Sequence, residues 1–205
     1  MNKIVAIGCG ALLVLLLIVG AVGVGTYNRL VTLDEGVDTA WSQVENVYQR
    51  RADLIPNLVE TVKGARDFER ETLNDVVEAR AKVGQMNFEE APSPERMEAF
   101  QEAQGELGAA LSRLLLVVER YPELRATQAF RDLMAQLEGT ENRIAVERRR
   151  YNEAAREYNT ARRRFPTNLL ANFFGFESKA YFEADEGTEE PPPVEFSLLR
   201  DGRFG

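Results

Sequence analysis

The sequence predicts an all-α protein: an N-terminal transmembrane helix followed by an antiparallel up-and-down four-helix bundle. Ile4 to Thr26 contains no charged residue. Past Tyr27 the apolar residues recur at intervals of three and four, the helical period. No segment shows the apolar-polar alternation of a strand, and the prolines fall mostly between periodic segments.

The N-terminal run sets the location. A spanning helix needs roughly 20 apolar residues to cross a hydrocarbon core of about 30 Å. At 1.5 Å per residue, residues 4–26 rise about 34 Å. Backbone polar groups in lipid must pair internally, so a lone run of this kind crosses as a helix. Residues 1–26 are therefore expected to be an anchor, with the lipid bilayer as the partner of residues 4–26. A cleaved secretory signal is the rival reading, with Ala21-Val22-Gly23 or Gly23-Val24-Gly25 as the cleavage site. Its apolar region is usually only about 7–15 residues, which favours retention. Lipidation at Cys9 is not expected, since only Met1 to Gly8 stand before it as an upstream apolar region. Lys3 and the amino terminus lie before the span, and Arg29, Asp34, Glu35 and Asp38 after it. The basic excess is slight and places the bundle on the extracytoplasmic side of a bacterial cell membrane.

Four long helices are expected next. The first, over residues 28–52, carries the stripe Leu30, Leu33, Val37, Ala40, Val44 and Val47. That stripe continues through Arg51 to Leu54 or Ile55, Leu58 and Val62. Pro56 lacks an N–H and clashes in a helix interior but suits a first turn, so a break near 52–53 with Asp53 as N-cap is expected. A continuous, kinked helix is the alternative. The second helix then covers residues 54–84. Turn residues between Gln85 and Pro94 separate it from a third over residues 95–121, started by Ser93-Pro94-Glu95. Met97, Phe100, Ala103, Leu107, Leu111, Leu114 and Val118 form its apolar face. The fourth, residues 126–165, repeats Phe130, Leu137, Ile144, Tyr151, Tyr158 and Phe165 at intervals of seven, and Pro166 stops it. A short helix is expected near residues 168–174. Residues 184–205 read as an acidic, proline-containing disordered tail.

Composition excludes several functions. With a net charge of -8 there is no electrostatic footprint for nucleic acid. The chain has no histidine, and its single cysteine, Cys9, lies in the span. This removes Ser-His-Asp and Cys-His catalysis, His-ligated zinc and Glu-x-x-His di-iron sites. No glycine-rich phosphate loop precedes a helix. The chain is accordingly expected to be no enzyme and to carry no metal or organic cofactor.

Two polar clusters fall near the seams: Arg50-Arg51 with Asp53, and Glu141-Asn142-Arg143. Charged groups at buried helix positions mostly pair with each other and fix register. The alternative is a pocket for a small ligand. Arg149, Arg156 and Arg163 recur by seven, off the seam, as a solvated face. An even number of antiparallel helices returns the chain to the bilayer it left. The aromatic segment Asn168 to Phe176, preceded by Arg162-Arg163-Arg164, then either rests at lipid headgroups or packs on the open end of the bundle.

Several stretches resemble the LemA family of bacterial membrane proteins. They include Tyr27-Asn28-Arg29-Leu30-Val31, Ala40-Trp41-Ser42-Gln43-Val44-Glu45, and the run from Tyr48 to Gly64. Further on come Arg120-Tyr121-Pro122-Glu123-Leu124, Glu138-Gly139-Thr140-Glu141-Asn142-Arg143, Tyr151-Asn152 and Tyr158-Asn159. Arg164-Phe165-Pro166, Gly175-Phe176 and Tyr181-Phe182-Glu183 complete the resemblance, which covers residues 27–183. Ala65-Arg66-Asp67-Phe68-Glu69 stands where relatives tend to carry Tyr-Ala-x-His-Glu. The resemblance implies a single-pass anchor with a four-helix bundle and brings no established activity. Arg51, Asp53, Asn57, Glu60, Glu141, Asn142, Arg143, Asn152 and Asn159 are the candidate polar or interaction cluster. The function expected is a non-catalytic scaffold of the bacterial envelope that binds envelope proteins or itself. A small-molecule sensor or enzyme using the same clusters is the alternative.

Overall fold

The computed structural model describes residues 2–64, 69–86 and 90–183, without the side chains of residues 2–6, 9 and 19. The expected tail of residues 184–205 and the Ala65-Arg66-Asp67-Phe68 segment lie outside the described residues. The described residues form helices and no strand: α1 (Asn2–Lys63), α2 (Arg70–Gly84), α3 (Pro94–Val118), α4 (Pro122–Arg125), α5 (Gln128–Arg163) and α6 (Thr167–Phe173). An extended segment over residues 176–183 follows α6.

The expected break at 52–53 does not occur. α1 runs as one helix of 62 residues with Pro56 inside it. Two features let the helix pass the proline. Pro56 has no N–H, so the Ala52 carbonyl four residues earlier loses its helical donor. Arg80 of α2 supplies a replacement, its Nε donating to the Ala52 oxygen at 2.9 Å. The residues on either side are also committed to one buried stripe: Leu30, Val37, Trp41, Val44 and Tyr48 before it, Ile55, Leu58 and Val62 after it. A break would turn the second half of that stripe away from the core. The helix expected at 54–84 is therefore divided, its first part belonging to α1 and its second forming α2.

Among the described residues one helix, at the N-terminus, is long and apolar enough to cross a membrane, and its most hydropathic window is wholly unburied in the protein. Beyond that window, α1 packs chiefly against α5. The two are antiparallel, since Trp41 meets Tyr151 and Arg51 meets Glu141. α2 and α3 are likewise antiparallel, joined by Lys82–Glu106 at 2.9 Å and Asp75–Arg113 at 3.7 Å. Every residue of the expected α3 face is buried. That helix ends at Val118 rather than 121, and Pro122 opens the separate turn α4. Ser93 takes the N-cap position of α3, but its hydroxyl bonds the Glu95 carboxylate and not the helix backbone.

On α5 the interval of seven buries Phe130, Leu137, Ile144, Tyr151 and Tyr158. Phe165 breaks the pattern: the helix stops at Arg163, and Phe165 is 79% exposed. Among the described residues the apolar interior falls into two clusters. One gathers Leu54 to Val62 of α1 with α2, most of the α3 face, Phe130 and Leu137. The other gathers Leu30 to Tyr48 with Phe100, Ile144, Tyr151, Tyr158, Ala171 and Phe182.

Candidate functional site

Between those two clusters lies a polar layer built by three helices. Arg51, on the buried stripe of α1, is 6% exposed. Its Nη1 donates to Glu141 Oε1 of α5 at 2.9 Å, and its Nη2 donates to the side-chain oxygen of Gln104 on α3. Tyr48, one turn earlier, presents its ring 5.1 Å from the guanidinium carbon. The Glu141 side chain is half exposed, which lowers the desolvation penalty of the pair. A cleft of about 190 Å³ opens beside it, lined in part by Arg51, Gln104, Glu141 and Arg148. Arg51 Nε and Gln104 Nε2 have no acceptor among the described residues.

A second constellation ties the extended segment to α5. Asn159 Nδ2 donates to the Lys179 carbonyl at 2.8 Å, and the Lys179 N–H donates back to Asn159 Oδ1 at 3.0 Å. Asn152 does the same with Phe182, at 2.9 Å and 2.8 Å. The register has a geometric cause. Seven helical residues rise about 10.5 Å and three extended residues about 10 Å, so two asparagines two turns apart meet backbone positions three apart. Arg162 Nε and the Tyr158 hydroxyl cap the carbonyls of Phe176 and Glu177 at 2.7 and 2.8 Å. Arg148 Nη2 reaches the Glu183 carbonyl at 2.7 Å.

The strap so formed also grips α1. Lys179 Nζ pairs with Asp34 at 2.7 Å and Asp38 at 3.5 Å. Phe182 is 5% exposed and stacks on Trp41, with Phe100 and Tyr151 edge-on around it. Burying such a ring is worth about 1.5–3 kcal/mol. Burial, with help from Asp38 and Tyr181, pushes the Tyr151 phenol well above its ordinary range. Burial, followed by Asp34, pushes Tyr158 up to about 12. For Lys179 burial acts downward, but Asp34 and Asp38 together outweigh it and raise the ammonium above its usual value. Both phenols are thus neutral at physiological pH; Tyr158 packs and donates its hydrogen bond to Glu177, whereas Tyr151 acts through packing, its buried hydroxyl having no partner among the described residues.

The nine expected residues do not form one site. Arg51 and Glu141 meet. Asp53, on the same helix, faces away: it is exposed and accepts from Gln49 Nε2 at 3.0 Å. Asn57 is exposed, with its backbone carbonyl bonded by Thr61, and Glu60 pairs with Lys63 on the surface. Asn142 and Arg143 are exposed on α5. Asn152 and Asn159 belong to the strap. Gln104, Arg80, Asp34 and Lys179 enter these networks from outside the expected set. Gln104 carries a signal in the sequence, since it continues the three-four spacing of Met97, Phe100, Leu107, Leu111 and Leu114. Among the described residues no group of three His, Cys, Asp or Glu side chains is placed to hold a metal ion.

The chain is similar to magnetosome protein MamQ 2 of Paramagnetospirillum magneticum, 29% identical over 184 residues, covering 80% of this chain and 67% of the relative. MamQ of Magnetospirillum gryphiswaldense is 27% identical over 184 residues, with the same 80% and 67% shares. Protein LemA of Metamycoplasma hominis is 25% identical over 178 residues, covering 87% of this chain and 77% of the relative. None of these names states a reaction. The LemA family profile matches residues 40–196, a stretch that takes in both the polar layer and the strap, and the chain belongs to the LemA family.

Proposed function

We propose that this protein is a single-pass, membrane-anchored, non-catalytic scaffold of the bacterial envelope, whose helical domain binds other envelope proteins or further copies of itself. In this reading the cytoplasmic end of the chain is the N-terminus. The four long segments form an up-and-down bundle on the extracytoplasmic side. The observation that carries it is the use made of the polar residues: Arg51, Glu141, Asn152 and Asn159 are engaged in holding helices and strap together. A catalytic constellation would instead leave a nucleophile or base aimed at open space. The cleft beside Arg51 favours the sensor alternative through its two donors without acceptors. At about 190 Å³ it is smaller than the roughly 300–1,000 Å³ of typical small-molecule sites.

Two measurements test the proposal. Protease treatment of spheroplasts, read at the C-terminal end, is expected to digest the domain; full protection would overturn the sidedness. Crosslinking of the full chain in native membranes is expected to give discrete adducts with envelope proteins or dimers. A chain that stays monomeric and uncrosslinked, and whose Glu141→Gln variant stays folded yet loses binding of a small metabolite, would overturn the scaffold reading in favour of a sensor.

A further inference from the structure

We propose that the outer face of α6 is a second membrane contact, seated among the lipid headgroups of the same bilayer that α1 crosses. This rests on the reading of residues 4–26 as the span.

The first observation is height. Tyr27 directly follows the uncharged run, and its ring lies 4.9 Å from that of Phe174 and 5.7 Å from that of Phe176. The C-terminal end of α6 is therefore level with the point where α1 leaves the hydrocarbon, however the molecule tilts. The second observation is amphipathicity. Ala171 is fully buried, whereas Leu169 is 60% and Phe173 81% exposed on the opposite side. Phe165 and Phe174 extend that exposed apolar surface. The inward face is fixed by a helix-ending bond from the Phe176 N–H to the Ala171 carbonyl at 2.9 Å, with Gly175 supplying the positive φ that this turn requires. An apolar, aromatic patch of this kind on a soluble surface marks an interaction site.

The third observation selects lipid as the occupant. The patch is continuous with the exposed apolar surface of the span, and aromatic rings favour the membrane-water boundary. Arg29, Arg163 and Arg164 are exposed beside it, in a chain of net charge -8. A groove of about 720 Å³ lined in part by Arg29, Arg150, Arg156 and Arg164, with Glu153 and Glu157 among them, adjoins it and is basic on balance. Arginines at this height meet anionic headgroups. A seven-residue helix is too short to recruit a protein to a bilayer by itself. The covalently attached span removes that need, because it holds α6 at the surface at high effective concentration.

The test uses the full chain with Cys9→Ala and one nitroxide label at a time, on Val14→Cys, Leu116→Cys or Phe173→Cys. It is reconstituted in phosphatidylcholine vesicles and in vesicles containing phosphatidylglycerol. Collision with oxygen against a water-soluble nickel chelate reads the depth of each label. The expected result places the label at 14 in hydrocarbon, at 173 near the headgroup boundary and at 116 in water. The label at 173 should sit deeper with phosphatidylglycerol present, and Arg163→Gln with Arg164→Gln should remove that difference. If 14 is in lipid and 173 behaves like 116 in both vesicles, the second contact is refuted while the anchor stands. If 14 is itself in water, the anchor and the contact fall together. Spin–spin broadening at 173 without lipid contact assigns the patch to another copy of the chain, which also overturns the proposal. Should Phe173→Cys disturb the fold, Leu169→Cys carries the same readout.

Discussion

Pro56 survives inside α1 because Arg80 replaces the hydrogen bond that proline removes, and this makes a double-mutant cycle decisive. Arg80→Met keeps most of the aliphatic stem and deletes the donor to the Ala52 carbonyl. Ala52 is 7% exposed, so its oxygen gains little from water. A charged donor to a buried acceptor is worth about 1.5–3 kcal/mol, and the single variant should lose that much. For a domain of this size that corresponds to a fall in Tm of roughly 3–12 °C. Pro56→Ala restores a backbone N–H beneath the same carbonyl and removes the ring clash, so it should stabilise by about 1–3 kcal/mol. In the Pro56→Ala background, Arg80→Met should cost under about 0.5 kcal/mol, giving a coupling energy of about 1–2.5 kcal/mol. Urea unfolding of the full chain in detergent, followed by Trp41 emission, measures all four corners. Trp41 is the sole tryptophan and is fully buried, so one probe reports the core. An equal loss from Arg80→Met in both backgrounds would falsify the replacement argument.

Three further outcomes are expected. Asn159→Asp keeps the acceptor for the Lys179 N–H but loses the donor to its carbonyl; hydrogen exchange should rise across residues 176–183, and Asn159→Ala should raise it further while costing about 2–3 kcal/mol. Tyr151, Tyr158 and Lys179 all have folded pKa values above their unfolded ones. The folded state therefore holds these protons more tightly, and their contribution is complete below the unfolded phenol value of 10.0. It is lost as pH climbs through the folded values, so Tm should hold steady to about pH 9.5 and then decline. Tyr158→Phe should soften that decline while lowering stability at neutral pH by about 1 kcal/mol through the lost bond to Glu177. Finally, Glu141→Gln should lower stability by about 1–3 kcal/mol by leaving the Arg51 charge uncompensated, without releasing the protein from membranes; unchanged stability in thermal denaturation would remove the polar layer from the account.

How much of this was readable in advance depends on the kind of interaction. Helix faces were legible because burial repeats with the helical period. The whole α3 face, and α5 from Phe130 to Tyr158, follow from spacing alone. On α1 the buried positions Val37, Trp41, Val44, Tyr48, Arg51, Ile55, Leu58 and Val62 alternate by fours and threes, with Leu30 seven residues before the first, so Arg51 announces itself as a charge in a core seam. Its partners do not, because a seam does not say which residue of another helix lies opposite. Pro56 misleads for a related reason: the local rule against proline is correct, and its resolution comes from Arg80, a residue 24 positions away. The strap was the least legible part. Residues 176–183 have neither helical nor alternating pattern. Their order comes from Asn152 and Asn159 on another element, which stand out in the sequence as candidate polar residues but carry no signal that residues 176–183 are their partners.

The unbroken course of α1 has a mechanical consequence. From Tyr27 to Lys63 the helix extends about 56 Å at 1.5 Å per residue. No hinge separates it from the apolar segment. Where that segment spans a bilayer, its inclination is set by lipid thickness and by neighbours, and spans commonly lean by about 20°. A stiff rod carries such a lean outward, so a change of about 20° at the base swings the far end by about 19 Å. Bilayer thickness would in this way be converted into reach.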